Sequence, residues 1–329
     1  MPAGGRGGQS GGWVPADVGR LGRLGQLGQL GQTHLRGIAQ VALSPSAWTG
    51  LLFALALFAG GWRVGGYGLL GVVSSTAAAA VLGADRSGLA KGLEGYCGCL
   101  TAIAVVVRLG ASWRTAVLAV LAAAVCAVIG AAAGRLLGRV GLPALTAPFC
   151  LVAGVLAIAL PTAPAAAAPP VVADGFTALS AAEFGRACCD GIAQIFLLDQ
   201  WYAGLILLAG LLVASRTAAV AAVCGSVVAV LTACAMGLPA DRIEAGLYGY
   251  NAVLVAIALA ATFLPLTPWT AGYAALAAVA SVPFTAAWQA FAQPSGGSPF
   301  TWPFVVTTWL FLAAVPALDR PGISLEKAK

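Results

Sequence analysis

Crossing a hydrocarbon core of roughly 30 Å takes about 20 predominantly apolar helical residues, and this chain offers such stretches again and again, separated by short polar links. About ten are found, near residues 48–64, 66–83, 93–107, 115–134, 143–162, 202–215, 217–236, 247–265, 269–290 and 301–317. With 60% hydrophobic and 9% charged residues over 329 positions and a mean hydropathy of +0.93, the chain cannot compose a water-facing surface of ordinary kind. The expectation is an all-α membrane protein with about ten transmembrane helices.

The net charge of +6 is carried by basic residues scattered singly through loops rather than gathered with aromatics, which argues against a nucleic-acid partner. Their distribution reports topology instead. Alternating ten crossings from a cytoplasmic N-terminus leaves only Arg63, Arg108, Arg114, Arg186 and Arg242 of the 17 basic residues outside. The positive-inside rule then places both termini in the cytoplasm, with the protein in the cell (plasma or inner) membrane. Cys126, Cys150, Cys224 and Cys234 lie within apolar runs, where Cys behaves as a small hydrophobe. Cys97 with Cys99 and Cys188 with Cys189 lack metal-site spacing, and His34 is the only histidine, so no metal is expected. The first 35 residues lack the continuous apolar core of a signal peptide. Their RLGRLGQLGQLGQ run, 20–32, is too rich in Gly to promise a firm helix, and 1–35 reads as a mobile cytoplasmic tail, with weak association at the membrane interface as the alternative.

The chain repeats itself. RGIAQVALSPSAWTGLL at 36–52 returns as DGIAQIFLLDQWYAGLI at 190–206, an offset of 154 residues. The same offset carries GLEGYCGCLTAIA at 92–104 onto GLYGYNAVLVAIA at 246–258, and Gly71 onto Gly225. With one further residue, LPALTAPFCLVAG at 142–154 aligns with SPFTWPFVVTTW at 298–309, and Thr146 with Thr301. The expected organisation is therefore a first membrane repeat at 36–162, an Ala/Pro-rich linker within 163–189, a second repeat at 190–317 and a C-terminal cytoplasmic tail at 318–329. About five crossings per repeat is an odd number, so the second repeat starts from the opposite side. Such inverted repeats place a site at their interface near the midplane.

The GIAQ segments, Gly37–Gln40 and Gly191–Gln194, are too short to span the bilayer before the breakers Ser44, Pro45, Ser46, Asp199 and Gln200 intervene. They read as re-entrant half-helices, a form tolerated at membrane depth where it is buried in protein or lines a watery cavity. A second broken pair begins at Pro143 and Pro299, whose prolines free upstream carbonyls beside Thr146 and Thr301. The recurring polar residues, Gln40, Gln194, Thr146, Thr301 and Asn251, are neutral, whereas an ion path or proton relay uses buried charge. Amides and hydroxyls suit a small uncharged solute whose water contacts must be replaced. Plainer roles stand beside this one: glutamine as glue between helices, threonine bonded to its own preceding turn, and the GLEGY and GLYGY runs as close helix packing. One histidine in a tail supports no nucleophile-base pair, so enzyme chemistry is not expected.

At these motifs the chain resembles the urea transporter family from Arg36 to about Trp309, through the paired GIAQ(V/I) segments, GLYGYNAVLV at 246–255, LPALTAPF at 142–149 and PFTWPF at 299–304. The resemblance implies a homotrimer in the lipid bilayer, each protomer with its own pore between the two halves, and passive transport of urea without cofactor or coupled ion. It places Gln40 and Gln194 at the two mouths and Thr146 and Thr301 beside the narrow middle, within ladders of backbone oxygens. Val41, Leu43 and Leu100, with Ile195, Leu197 and Leu254, would form the apolar walls of a flat slot. The family often has phenylalanine where Leu43 and Leu197 stand; Cys97 replaces the asparagine kept at Asn251, and Glu94 stands opposite Tyr248. A channel for another small neutral solute, such as short amides, ammonia or water, is the alternative, and a non-conducting scaffold is a third reading.

Overall fold

The computed structural model describes residues 16–160 and 175–318. The expected C-terminal tail beyond 318, most of the Ala/Pro linker and the first 15 positions lie outside the described residues. Among the described residues every regular element is helical, and one order of seven α-helices occurs twice. The first set is α1 (Ala16–Ala39), α2 (Ala47–Gly60), α3 (Trp62–Val81), the short α4 (Arg86–Ala90), α5 (Tyr96–Leu109), α6 (Trp113–Gly138) and α7 (Ala147–Ala159). The second is α8 (Ala181–Ala193), α9 (Trp201–Ala214), α10 (Arg216–Ala235), the short α11 (Ala240–Glu244), α12 (Tyr250–Ile257), α13 (Pro268–Ala292) and α14 (Trp302–Ala314). A π-helical turn at Ala258–Phe263 extends α12.

The breakers act where the residue types require. α1 runs into a 3-10 turn over Gln40–Ala42 and stops at Leu43, which adopts the left-handed conformation (φ 59°). Pro45 has no N–H to continue a ladder, and Ser46 starts α2 by accepting the Thr49 N–H at 3.3 Å. In the second half Gln194–Phe196 forms the same turn and Leu197 (φ 58°) ends it. The helices on either side of these breaks are bent by 77° and 73°. Each returning helix crosses the preceding one at a glycine. A Cβ on Gly50 would lie 1.8 Å from the Leu35 carbonyl oxygen, and one on Gly204 would lie 2.0 Å from that of Cys189, so only glycine permits the contact.

The structure gives a coarser outcome for the count of spans and departs from one other sequence expectation. Each of the ten apolar stretches overlaps a helix; among the described residues α3, α6, α10 and α13 are long and apolar enough to cross a membrane alone, and counting each bent pair as one span gives up to six. α5 has 14 residues, about 21 Å of helix, and α7 and α14 have 13 each. The Gly-rich run after Arg20, expected as part of a tail without firm helix, belongs to α1. Ile38 and Ala39 at its far end are fully buried. Packing there supplies the costly nucleus, and upstream turns need only propagation.

One apolar cluster joins the two halves. Phe53 of α2 meets Phe196 edge to face at 5.5 Å, and the Thr49 hydroxyl donates to the Gly210 carbonyl at 2.9 Å. The outer surface keeps large apolar side chains exposed, among them Trp48, Leu55, Trp62, Trp113, Leu231 and Leu276. Such an apolar exterior matches lipid rather than water.

Candidate functional site

Two helix starts meet at the centre of the shared cluster. α7 begins after Thr146 with Pro148 in its first turn, and α14 begins after Thr301 with Pro303 in its first turn. Proline is accepted there because a first-turn N–H has no intrahelical partner. The residue before each threonine is forced into the left-handed region: Leu145 at φ 48° and Phe300 at φ 43°. With Leu43 and Leu197, these make up the positive-φ residues other than glycine among the described residues. Each such conformation costs on the order of 1–3 kcal/mol and persists only when its surroundings impose it. All four sit inside the duplicated motifs, at equivalent places.

The surroundings that impose it are visible. Tyr96 donates its hydroxyl to the Leu145 carbonyl at 2.5 Å, and Tyr250 does the same to Phe300 at 2.6 Å. In the second half Asn251, wholly buried, adds a clamp. Its amide donates to the Thr285 hydroxyl at 3.2 Å and to the Phe300 carbonyl at 3.4 Å. Its oxygen accepts the Phe304 N–H of α14 at 3.0 Å. The first half substitutes a thiol, since Cys97 faces the Leu145 carbonyl at 3.8 Å, a weaker donor at longer range.

These turns bring Thr146 and Thr301 together. Their hydroxyl oxygens are 2.6 Å apart, and Cys150 Sγ lies 3.1 Å from the Thr301 hydroxyl. Both threonines are buried, and Phe149 meets Phe300 edge to face at 5.2 Å beside them. Neither hydroxyl is bonded back to its own preceding turn, so the plainer role considered for them does not hold.

The two glutamines occupy equivalent buried positions. Gln40 donates its amide to the Lys91 carbonyl at 3.0 Å. Gln194 donates to the Ala245 carbonyl at 3.2 Å and to Asp199 at 2.9 Å. Both carbonyls precede glycines, Gly92 and Gly246, where an added Cβ would lie 2.4 Å from the backbone N of Gly37 and Gly191. The GLEGY and GLYGY runs are thus close-packing elements that hold a carbonyl on each glutamine. Val41, Leu100, Ile195 and Leu254 are buried within the shared cluster, with Leu43 and Leu197 partly exposed against it.

Sequence reasoning missed Tyr96, Tyr250 and the left-handed pair Leu145 and Phe300. The tyrosines recur at the same offset inside the repeated GY dipeptide, which was the available signal. Arg108 was also missed. From the end of α5 it donates to the Ala157 carbonyl at 2.7 Å and the Gly296 carbonyl at 2.8 Å, tying α7 to the second half. Among the described residues no group of three or more His, Cys, Asp or Glu is placed to hold a metal ion.

The profile described as Urea transporter matches residues 32–316. The chain is 29% identical over 289 residues to urea transporter 1 of Ovis aries, covering 84% of this chain and 75% of that protein. It is 30% identical over 294 residues to urea transporter 1 of Mus musculus, with the same coverage. A profile match across most of the chain, reaching both threonines, both glutamines and every turn that orients them, means that this protein belongs to the urea transporter family.

Proposed function

We propose that this protein carries urea passively across the cell membrane, through a path between its two halves. The observation that carries this reading is the paired threonine hydroxyls at the starts of α7 and α14, in a chain that belongs to the urea transporter family. Urea is planar and hydrogen-bonds at its edges. Thr146 and Thr301, with the carbonyls around them, accept at those edges, while Val41, Leu43, Leu100, Ile195, Leu197 and Leu254 contact its faces. Gln40 and Gln194 receive the solute at the two mouths. An ion entering the same slot loses hydration without compensating charge and is rejected.

In this reading the seven-helix order is an inverted repeat, the short helices complete the crossing of the bilayer in pairs, both termini lie in the cytoplasm and the assembly is a homotrimer. The test is urea flux into proteoliposomes holding the purified protein. Urea uptake is expected to rise and to ignore imposed proton or sodium gradients; no rise over protein-free vesicles refutes the reading. A looser second reading is favoured by Leu43 and Leu197, where the family often has phenylalanine. A slot walled by leucine admits short amides such as formamide and acetamide alongside urea, which competition assays would register.

A further inference from the structure

The duplication supplies an internal control for every surface of the molecule, and at one place the two halves differ sharply. Between α10 and α13, floored by α12 and its π-helical turn, lies an apolar cleft of about 430 Å³. Its walls are small: Ala221, Cys224, Ala260 and Ala274 among them. At the repeat offset of 154, the first half places Tyr67 opposite Ala221, Leu70 opposite Cys224 and Val106 opposite Ala260. There Tyr67 and Leu70 pack onto Ala102 and Ala119, and the Tyr67 hydroxyl donates to the Ser112 carbonyl at 2.8 Å. The first half fills this volume with its own side chains; the second half leaves it open.

The cleft has a direction. It begins at Arg216, the first residue of α10, and follows that helix to Val228. Twelve residues of helix are about 18 Å, slightly more than half a hydrocarbon core of roughly 30 Å. Arg216 is exposed, and among the described residues no acid pairs with it. The equivalent residue of the first half is Trp62, and the neighbouring Arg63 is stacked over its ring at 5.3 Å. An apolar trough one leaflet deep, with a guanidinium at its end, is complementary in shape and charge to an anionic phospholipid. Arginine recognises phosphate through its planar fork of donors.

We propose that this cleft is a binding site for an anionic phospholipid, with one acyl chain lying along α10 and α13 and the phosphate held by Arg216. The site is separate from the threonine pair and does not depend on which solute the protein carries.

Native mass spectrometry of the detergent-purified full chain, titrated with phosphatidylglycerol or phosphatidylcholine, tests it. The wild type is expected to retain phosphatidylglycerol about fivefold more than phosphatidylcholine, the scale of one basic side chain against an anionic lipid. Arg216→Gln is expected to abolish that preference. Ala221→Tyr with Cys224→Leu, which copies the first half, is expected to reduce retention of both lipids to background while urea flux stays at the wild-type level. Because a filled cleft could disturb folding, a second measurement uses the unaltered protein. Maleimide labelling of the exposed Cys224 should slow several-fold on adding phosphatidylglycerol and little on adding phosphatidylcholine. Lipid retention unchanged by the filling pair, a headgroup preference that survives Arg216→Gln, or Cys224 labelling that follows protein concentration and not lipid, as for a second copy seated in the cleft, would overturn the proposal.

Discussion

The hydroxyls of Thr146 and Thr301 are 2.6 Å apart although 155 residues separate them in the chain. Each stands immediately before the first residue of a different helix, and each is itself preceded by a left-handed residue. A pair of hydroxyls bonded to each other retains lone pairs for a passing solute. Replacing either with valine keeps the volume and removes one hydrogen-bonding group worth about 1–1.5 kcal/mol. Thr146→Val and Thr301→Val are each expected to lower urea flux about tenfold, measured by stopped-flow light scattering on proteoliposomes. Flux unchanged in both would take the threonines out of the path.

The glutamines offer a second check. Each holds a carbonyl of the neighbouring loop, at Lys91 or Ala245. Gln40→Ala and Gln194→Ala should each reduce flux several-fold, and the double variant more than either. Wild-type flux in the double variant would remove them from the mouths.

Leu43 and Leu197 bear on selectivity. Both are partly exposed against the shared cluster, and a larger flat ring in either place narrows the slot. Leu43→Phe and Leu197→Phe are expected to raise the ratio of urea to methylurea flux. A ratio that does not move would place these side chains outside the selective region.

Asn251 is expected to be a stability hub. It makes three hydrogen bonds in full burial, to Thr285, Phe300 and the Phe304 N–H. Asn251→Cys, which copies Cys97, leaves buried groups unpaired at a cost of about 1–3 kcal/mol. Its apparent melting temperature in detergent should fall clearly below the wild type. The converse Cys97→Asn should hold or raise it.

Glycine positions separate packing from propensity. Gly204→Ala puts a methyl group 2.0 Å from the Cys189 carbonyl oxygen, so the bent pair cannot close, and folded yield by size-exclusion chromatography should collapse. Gly66→Ala meets no atom within 4 Å and should be silent or slightly stabilising. Equal behaviour of the two would mean that the crossing of α8 and α9 is not as close as described.

What the sequence determined by itself is local or periodic. Apolar runs marked α2, α3, α5, α6, α7, α9, α10, α12, α13 and α14, the GIAQ motifs and their breakers marked where helices end, and the offset of 154 marked which residues are equivalent. Those features depend on side-chain type and spacing, which are written directly in the chain. The tertiary structure decided the rest. Where each helix begins and ends was decided there: α5, read from an apolar stretch at 93–107, runs Tyr96–Leu109. The left-handed residues Leu145 and Phe300 were invisible, because no propensity favours that conformation in leucine or phenylalanine; Tyr96, Tyr250 and Asn251 impose it from another helix. The meeting of Thr146 with Thr301 and the open cleft beside Arg216 likewise arise only when distant segments pack. A distance between two residues far apart in sequence is a property of the whole packed core, and no local pattern encodes it.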